Sequence, residues 1–353
     1  MEHKTWNISE NATAQNIPPP CFLHACRYSV GEKVAFVLSF SIVFLVILLG
    51  NLLLCYLIFK ERKLRVSSTW LSILNLAISD IIIAVFCMPI LVIQVYTVES
   101  WPFGETICKA VPFFLNVGWI SAIIILTIIS IEKFMAVCLP FKCYWKSSFV
   151  KAGIFLAWFT AIVNALYYTI KADKKVITYN GKKYCIESER WLTAGENRHY
   201  LVTNIVLFYF VPLVTVLVLH MAIITKLESK TLRNLHEKIA GTQRRRNSKE
   251  AIKLLFVIAL CFAVFTTPYE AYCIIVLVDP HLLDTNTDFH LFSVSLWLFF
   301  FNLSTHPFIY GLLSKKYKTA LKREIFNLTF RSSETRLSVK FFQLDKAVVI
   351  NNA

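Results

Sequence analysis

Four ionisable side chains, Asp80, Glu270, His220 and His306, each interrupt an otherwise apolar run. A carboxylate or an imidazole surrounded by hydrocarbon is costly, and it is kept only with an interior partner or for a function. Three chemistries suit such groups. Histidines with an aspartate can hold zinc for hydrolysis, a train of intramembrane charges can carry ions, and a lone buried carboxylate can bind a ligand cation. The zinc reading is short of ligands, because only His220 and His306 lie deep inside apolar runs and Asp80 would be the third. The transport reading lacks internal repeats, Gly-broken helices and further deep charges. Recognition remains. Glu270 wants a cation, and the nearby halves of the apolar runs hold no Lys or Arg except Lys109 and Arg198 at their ends.

Membrane-spanning helices must position these groups. The 353 residues are 56% hydrophobic and only 17% charged, whereas a soluble domain carries about 25% charged residues. A hydrocarbon core about 30 Å thick needs about 20 apolar residues per helix. Windows of that kind fall at 34–59, 70–96, 111–137, 149–170, 200–225, 252–278 and 289–313. The expectation is an all-α membrane protein, a bundle of seven helices. An odd number puts the termini on opposite sides, and Lys and Arg decide which. The connectors after spans one, three and five and the tail after seven, with Lys133, Lys151 and Lys253 at the inner ends of their spans, hold 26 of the 37. The N-terminus is therefore expected outside. The net charge of +15 reads first as membrane orientation, and nucleic-acid binding is the weaker reading.

Two glycosylation sequons, at Asn7 and Asn11, agree with that orientation. The first 30 residues lack the apolar core of a cleavable signal, so the first span is expected to act as the targeting signal. The expected organisation is an outer segment over 1–33, the bundle over 34–313, a surface helix over 314–328 and a cytoplasmic tail over 329–353. In the surface helix Tyr317, Leu321, Ile325 and Phe326 recur at helical spacing opposite Lys315, Lys316, Lys318, Lys322 and Arg323. That pattern suits a helix lying on acidic lipid.

Ten cysteines divide by side. Cys55, Cys87, Cys138, Cys143, Cys261 and Cys273 lie in spans or an inner connector and read as packing thiols. Cys21, Cys26, Cys108 and Cys185 lie outside. A disulfide between Cys108 and Cys185 would staple the long outer loop over the bundle. Cys21 and Cys26 can close on each other, or one of them can bond Cys273.

One marker per span then resembles the rhodopsin-like (class A) G-protein-coupled receptors. The markers are Gly50-Asn51, Leu76-Ala77-Ile78-Ser79-Asp80, Trp101-Pro102-Phe103-Gly104 ahead of Cys108, Glu132-Lys133-Phe134, Trp158, Pro212, Phe262 with Pro268, and Pro307-Phe308-Ile309-Tyr310. The resemblance covers 34–326 and implies a multi-pass plasma-membrane receptor that binds an extracellular ligand and engages heterotrimeric G protein and arrestin. It implies neither a cofactor nor enzyme activity. It places Asp80, Asn51, Asn302, His306 and Tyr310 in a switch and ion pocket, and Glu132, Lys133, Phe134 and His220 at the G-protein face. Pro212, Pro268 and Pro307 would supply bends for a helix-swinging transition.

Four positions depart from the family pattern. Lys133 replaces an Arg and so exchanges a fork of donors for a point charge. Thr266 stands where a Trp is usual, His220 where a Tyr is, and His306 where an Asn is. A coupling-poor relative is therefore an alternative. In the ion pocket Asp80 and Asn302 match, but Ala122 and His306 replace two oxygen ligands of the family's sodium ion, which makes His306 a candidate internal cation.

For the ligand, the seventh span lacks the Lys of a retinal pigment, and Leu115 stands where an aminergic receptor has Asp. Residues 176–186 form two β-like runs around Asn180-Gly181, a hairpin signal that resembles the open lid of peptide receptors. Glu270, Leu115, Gln94, Tyr269 and Cys273 are the candidate ligand contacts. The favoured ligand is a peptide carrying Arg or Lys, with a non-peptide small ligand as the alternative. Ser248, behind Arg244 to Arg246, resembles a basophilic kinase site in the third inner loop. Ser332, Ser333, Thr335 and Ser338 are candidate sites of phosphorylation that leads to arrestin binding.

Overall fold

Hydrocarbon offers backbone N–H and C=O groups no partners, so each apolar run must close its own hydrogen bonds, and all seven do so as helices. The computed structural model describes residues 29–66, 69–98, 100–139, 147–179, 181–186, 196–228, 241–278 and 285–327. The helices long and apolar enough to cross a membrane are Val30–Lys60, Thr69–Thr97, Gly104–Cys138, Ser148–Ala172, Arg198–Lys226, Phe256–Val278 and His290–Leu313. They are called the first to seventh spans, and the Lys/Arg-rich side is called the inner one.

Polar chemistry extends the helices past their apolar windows. The first begins at Val30 because Ser29 and Glu32 form a capping box: Ser29 Oγ accepts from the Glu32 N–H at 3.3 Å, and Glu32 Oε2 accepts from the Ser29 N–H at 2.9 Å. The third begins at Gly104, so Cys108 lies in its second turn rather than at its opening. The sixth helix starts at Gly241, and Ser248, expected in a loop, lies on its helical extension.

Proline marks five spans in different ways. The second breaks at Cys87, restarts as Met88–Val92 with Pro89 in its first turn, and ends in a π-helical turn, Ile93–Thr97. The apolar pattern gave no sign of that break. In the fifth, a π-helical turn over Val206–Phe210 immediately precedes Pro212. Pro268 and Pro307 lie inside their helices, and so does Pro112 in the third, which the motifs did not single out.

Two apolar clusters fill the bundle. Phe40, Ile83, Met88, Tyr96, Phe299 and Phe300 belong to the outer one, and Leu57, Leu76, Ile125, Ile258, Phe262 and Tyr310 to the inner one. Small residues let backbones approach. A methyl group on Gly50 would lie 2.6 Å from Pro307 Cγ, and one on Gly118 would lie 2.5 Å from Ile83 Cγ1. Trp158 of the fourth span donates its indole N–H to Asn75 Oδ1 on the second at 2.9 Å. Phe155, Leu156, Phe159 and Ile162 point outward, as lipid contact requires.

Residues 315–327 form a further helix. Tyr317 and Ala320 pack into the inner cluster, while Ile325 and Phe326 stay exposed. Glu324 Oε1 accepts hydrogen bonds from Lys60 Nζ at 2.6 Å and Tyr56 OH at 2.8 Å, which hold its carboxyl below the usual range. Arg323 donates to Glu61 at 2.8 Å, so part of the basic face expected to meet lipid is engaged with the first span instead. Burial pushes the Tyr317 phenol up to about 12.

Candidate functional site

The outer entrance is built by the long loop. β1 (Lys175–Tyr179) pairs antiparallel with β2 (Lys182–Ile186), and Gly181, at φ 76°, takes the left-handed conformation the turn needs; Asn180 lies outside the described residues. Cys185 on β2 is bonded to Cys108, with Cα atoms 5.7 Å apart. Two hydrogen bonds pin the hairpin again: the Trp101 N–H donates to Lys183 O at 2.8 Å, and the Lys183 N–H donates to Ser100 Oγ at 2.9 Å. Asp173 pairs with Lys109 at 3.3 Å and Lys175 at 3.4 Å, and these bonds hold its carboxyl below the ordinary range. Lys109 also meets Glu105 at 2.7 Å, so this cation is already neutralised at the rim.

Below the hairpin, Glu270 is buried at 8% exposure, and among the described residues no cation lies within ion-pairing distance of it. Its neighbour Tyr269 lies against Phe299, ring centroids 5.3 Å apart, and both Tyr269 and Leu115 pack on the outer cluster. Cys273, one helical turn outward of Tyr269, is a free thiol. Gln94 is half-buried in the π-helical turn that ends the second span.

At mid-depth His306 Nδ1 lies 2.7 Å from Asp80 Oδ2, and both residues are buried. Asn51 donates to Ile47 O at 3.0 Å, while Asn51 Oδ1, Asn302 Oδ1 and the Tyr310 hydroxyl are buried with no partner among the described residues. Ser79 and Ser121 link the second and third spans at 2.9 Å. These residues do not fit a sodium ion: an imidazole is set on one carboxylate oxygen, and Ala122 supplies no oxygen where the family has a hydroxyl.

At the inner end one hydroxyl joins two charges. Thr69 Oγ1 donates to Glu132 Oε1 at 2.9 Å and accepts from Lys133 Nζ at 2.5 Å, with Lys133 itself 4.0 Å from Glu132. His220 Nδ1 lies 2.7 Å from Val216 O, and a carbonyl only accepts, so Nδ1 carries the proton. Phe134 packs with Val137 and Ile223 of the fifth span.

The family model described as 7 transmembrane receptor (rhodopsin family) matches residues 50–310. The chain belongs to the rhodopsin family of seven-transmembrane receptors. Among its relatives, a QRFP-like peptide receptor of Branchiostoma floridae is 26% identical over 316 residues, covering 88% of this chain and 83% of that one. The pyroglutamylated RF-amide peptide receptor of Rattus norvegicus is 28% identical over 299 residues, covering 81% and 68%. Neuropeptide FF receptor 1 of Homo sapiens is 26% identical over 335 residues, covering 90% and 76%. The protein is thus a receptor and a multi-pass plasma-membrane protein.

In this receptor the structure joins Asp80 to His306 and Cys108 to Cys185, and it sets Glu270, Tyr269 and Cys273 on the outer half of one helix. Thr69 was not singled out in the sequence, because a hydroxyl beside Ser67 and Ser68 carries no signal that it will meet a residue 63 positions away. Cys21, Cys26, Asn7, Asn11, Cys143, Ser332, Ser333, Thr335 and Ser338 lie outside the described residues, and the Ser248 side chain is likewise not described.

Proposed function

We propose that this receptor binds an extracellular peptide with a cationic group and passes the signal to a heterotrimeric G protein and to arrestin. One observation carries the ligand reading: Glu270 is a buried carboxylate beneath a pinned hairpin, without a cation among the described residues. Removing a carboxylate from water is costly, and a ligand guanidinium that hydrogen-bonds it offsets that cost with directional specificity. The two relatives named for RF-amide and QRFP peptides support the choice, since an Arg-Phe-amide end brings the required cation and no competing carboxylate.

At the inner face Glu132, Lys133, Phe134 and His220 form the coupling surface. The helix over 315–327 presents Lys315, Lys316, Lys318 and Lys322 with Ile325 and Phe326 to the acidic inner leaflet. Phosphorylation of Ser248 and of the tail hydroxyls would alter this surface by adding about −2 charge per site.

The test is a panel of peptides ending in Arg-Phe-amide applied to cells expressing the receptor, read by G-protein and arrestin recruitment. The Glu270→Gln change removes the charge at nearly constant shape and should weaken the active peptide by about 2 kcal/mol, roughly thirtyfold. Citrulline in place of the peptide Arg should cost little more in that variant. Unchanged potency in Glu270→Gln would sink the counterion role.

A further inference from the structure

Among the described residues, Trp119 alone packs against both apolar clusters. It lies on the third span one turn inward of Leu115, and its indole touches two aromatic rings. The Phe262 ring stacks on it at 5.2 Å between centroids and 17° between planes, and the Phe299 ring lies at 4.9 Å and 47°. Phe299 in turn touches Tyr269, next to Glu270, while Phe262 reaches Tyr209 of the fifth span at 6.2 Å. A continuous aromatic path therefore runs Tyr269, Phe299, Trp119, Phe262, Tyr209. Between Phe262 and Tyr269 the buried residue of the sixth span is small: Thr266, whose hydroxyl donates to Phe262 O at 2.6 Å.

We propose that the Trp119 indole is the mechanical link between the ligand-facing outer cluster and the inner cluster that carries the coupling end, a positioning residue supplied by the third span. Close-packed side chains transmit displacement in discrete steps, and a flat ring in contact with two others can hardly turn without displacing them. A ligand that shifts Phe299 or Tyr269 moves Phe262 through this ring, and Phe262 belongs to the inner cluster on the sixth span. The peptide arm of the test rests on the ligand reading above; the first arm does not.

That first arm uses the purified receptor without ligand. Phe299→Leu and Phe262→Leu are made singly and together, in the native background and in Trp119→Leu, and melting temperatures are compared. The two changes should be non-additive by about 2 °C or more with Trp119 present and additive within about 1 °C in its absence. Additivity in the native background, or equal non-additivity in both, overturns the link. The second arm applies a peptide ending in Arg-Phe-amide to variants matched for surface level. Trp119→Leu should lower maximal nucleotide exchange about tenfold while the peptide Kd stays within about threefold, and Trp119→Phe, which keeps a stacked ring, should recover at least about half. Undiminished maximal exchange in Trp119→Leu, or a Kd loss as large as the exchange loss, also overturns it. A native receptor that ignores every such peptide defeats the ligand reading and leaves the melting comparison to decide Trp119.

Discussion

The outer and inner halves of the bundle treat charge in opposite ways. Outside, the loop is pinned by a disulfide and two hydrogen bonds, the rim cation Lys109 is neutralised by Glu105 and Asp173, and the deeper Glu270 has no cation among the described residues. Inside, Lys60 meets Glu324, Arg323 meets Glu61, and Lys133 and Glu132 share Thr69. The outer half is a rigid frame around one incomplete electrostatic pair, which a ligand can complete. The inner half pairs Lys60, Arg323 and Lys133 internally, so the proposed transducer would compete with bonds the receptor already makes.

The strongest way to break that contrast is to remove the frame. Losing a native disulfide costs about 2 to 5 kcal/mol. Cys108→Ser or Cys185→Ser should therefore abolish surface expression or peptide binding, and the double variant should be no worse than either alone. Normal binding by both single variants would show that the two hydrogen bonds to Ser100 and Lys183 suffice.

A smaller effect is expected where the halves meet. A methyl at Gly50 would overlap the Pro307 ring, and overpacking of that kind costs about 1 to 3 kcal/mol. Gly50→Ala should lower the melting temperature of the purified receptor by several degrees, whereas Gly31→Ala, with open space around it, should not. Equal melting of the two variants would mean that the first and seventh spans separate without penalty.

The inner closure can be sharpened through Lys133. An Arg there could keep Thr69 or Glu132 with one arm of its fork and offer the other to the transducer. Lys133→Arg should raise agonist-driven nucleotide exchange about fivefold, the worth of one hydrogen bond near 1 kcal/mol. Equal exchange in the two proteins would show that the point charge is sufficient.

The least change is expected from sodium. With His306 on Asp80 Oδ2 and no hydroxyl at Ala122, replacing potassium by sodium at constant ionic strength should leave agonist affinity unaltered. A clear sodium-dependent shift would show that an ion competes with the imidazole.

Much of this was legible along the chain because the solvent acts locally. In hydrocarbon a backbone must bond within its own segment, so about 20 apolar residues announce a helix without knowledge of its neighbours, and all seven helices stand where the windows lay. An ionisable residue inside such a window announces itself by its cost, which is how Asp80, Glu270, His220 and His306 stood out. The Asn180-Gly181 pair declared the hairpin because turn geometry is also a two-residue matter.

Tertiary structure decided what each helix shows to its neighbours. An apolar window does not encode rotation about the helix axis or the local break at Cys87, because lipid and bundle interior are equally apolar and the pattern carries little amphipathic signal. Packing therefore assigned Thr69 to Glu132 and Lys133, Trp158 to Asn75, and Glu324 to Lys60 and Tyr56, partners 63 to 268 residues apart. It also placed Trp119 against Phe262 and Phe299. Residue type alone established that charges and aromatic rings would be buried. Which of them meet depends on how seven helices fill one interior, and that is fixed only when all are present.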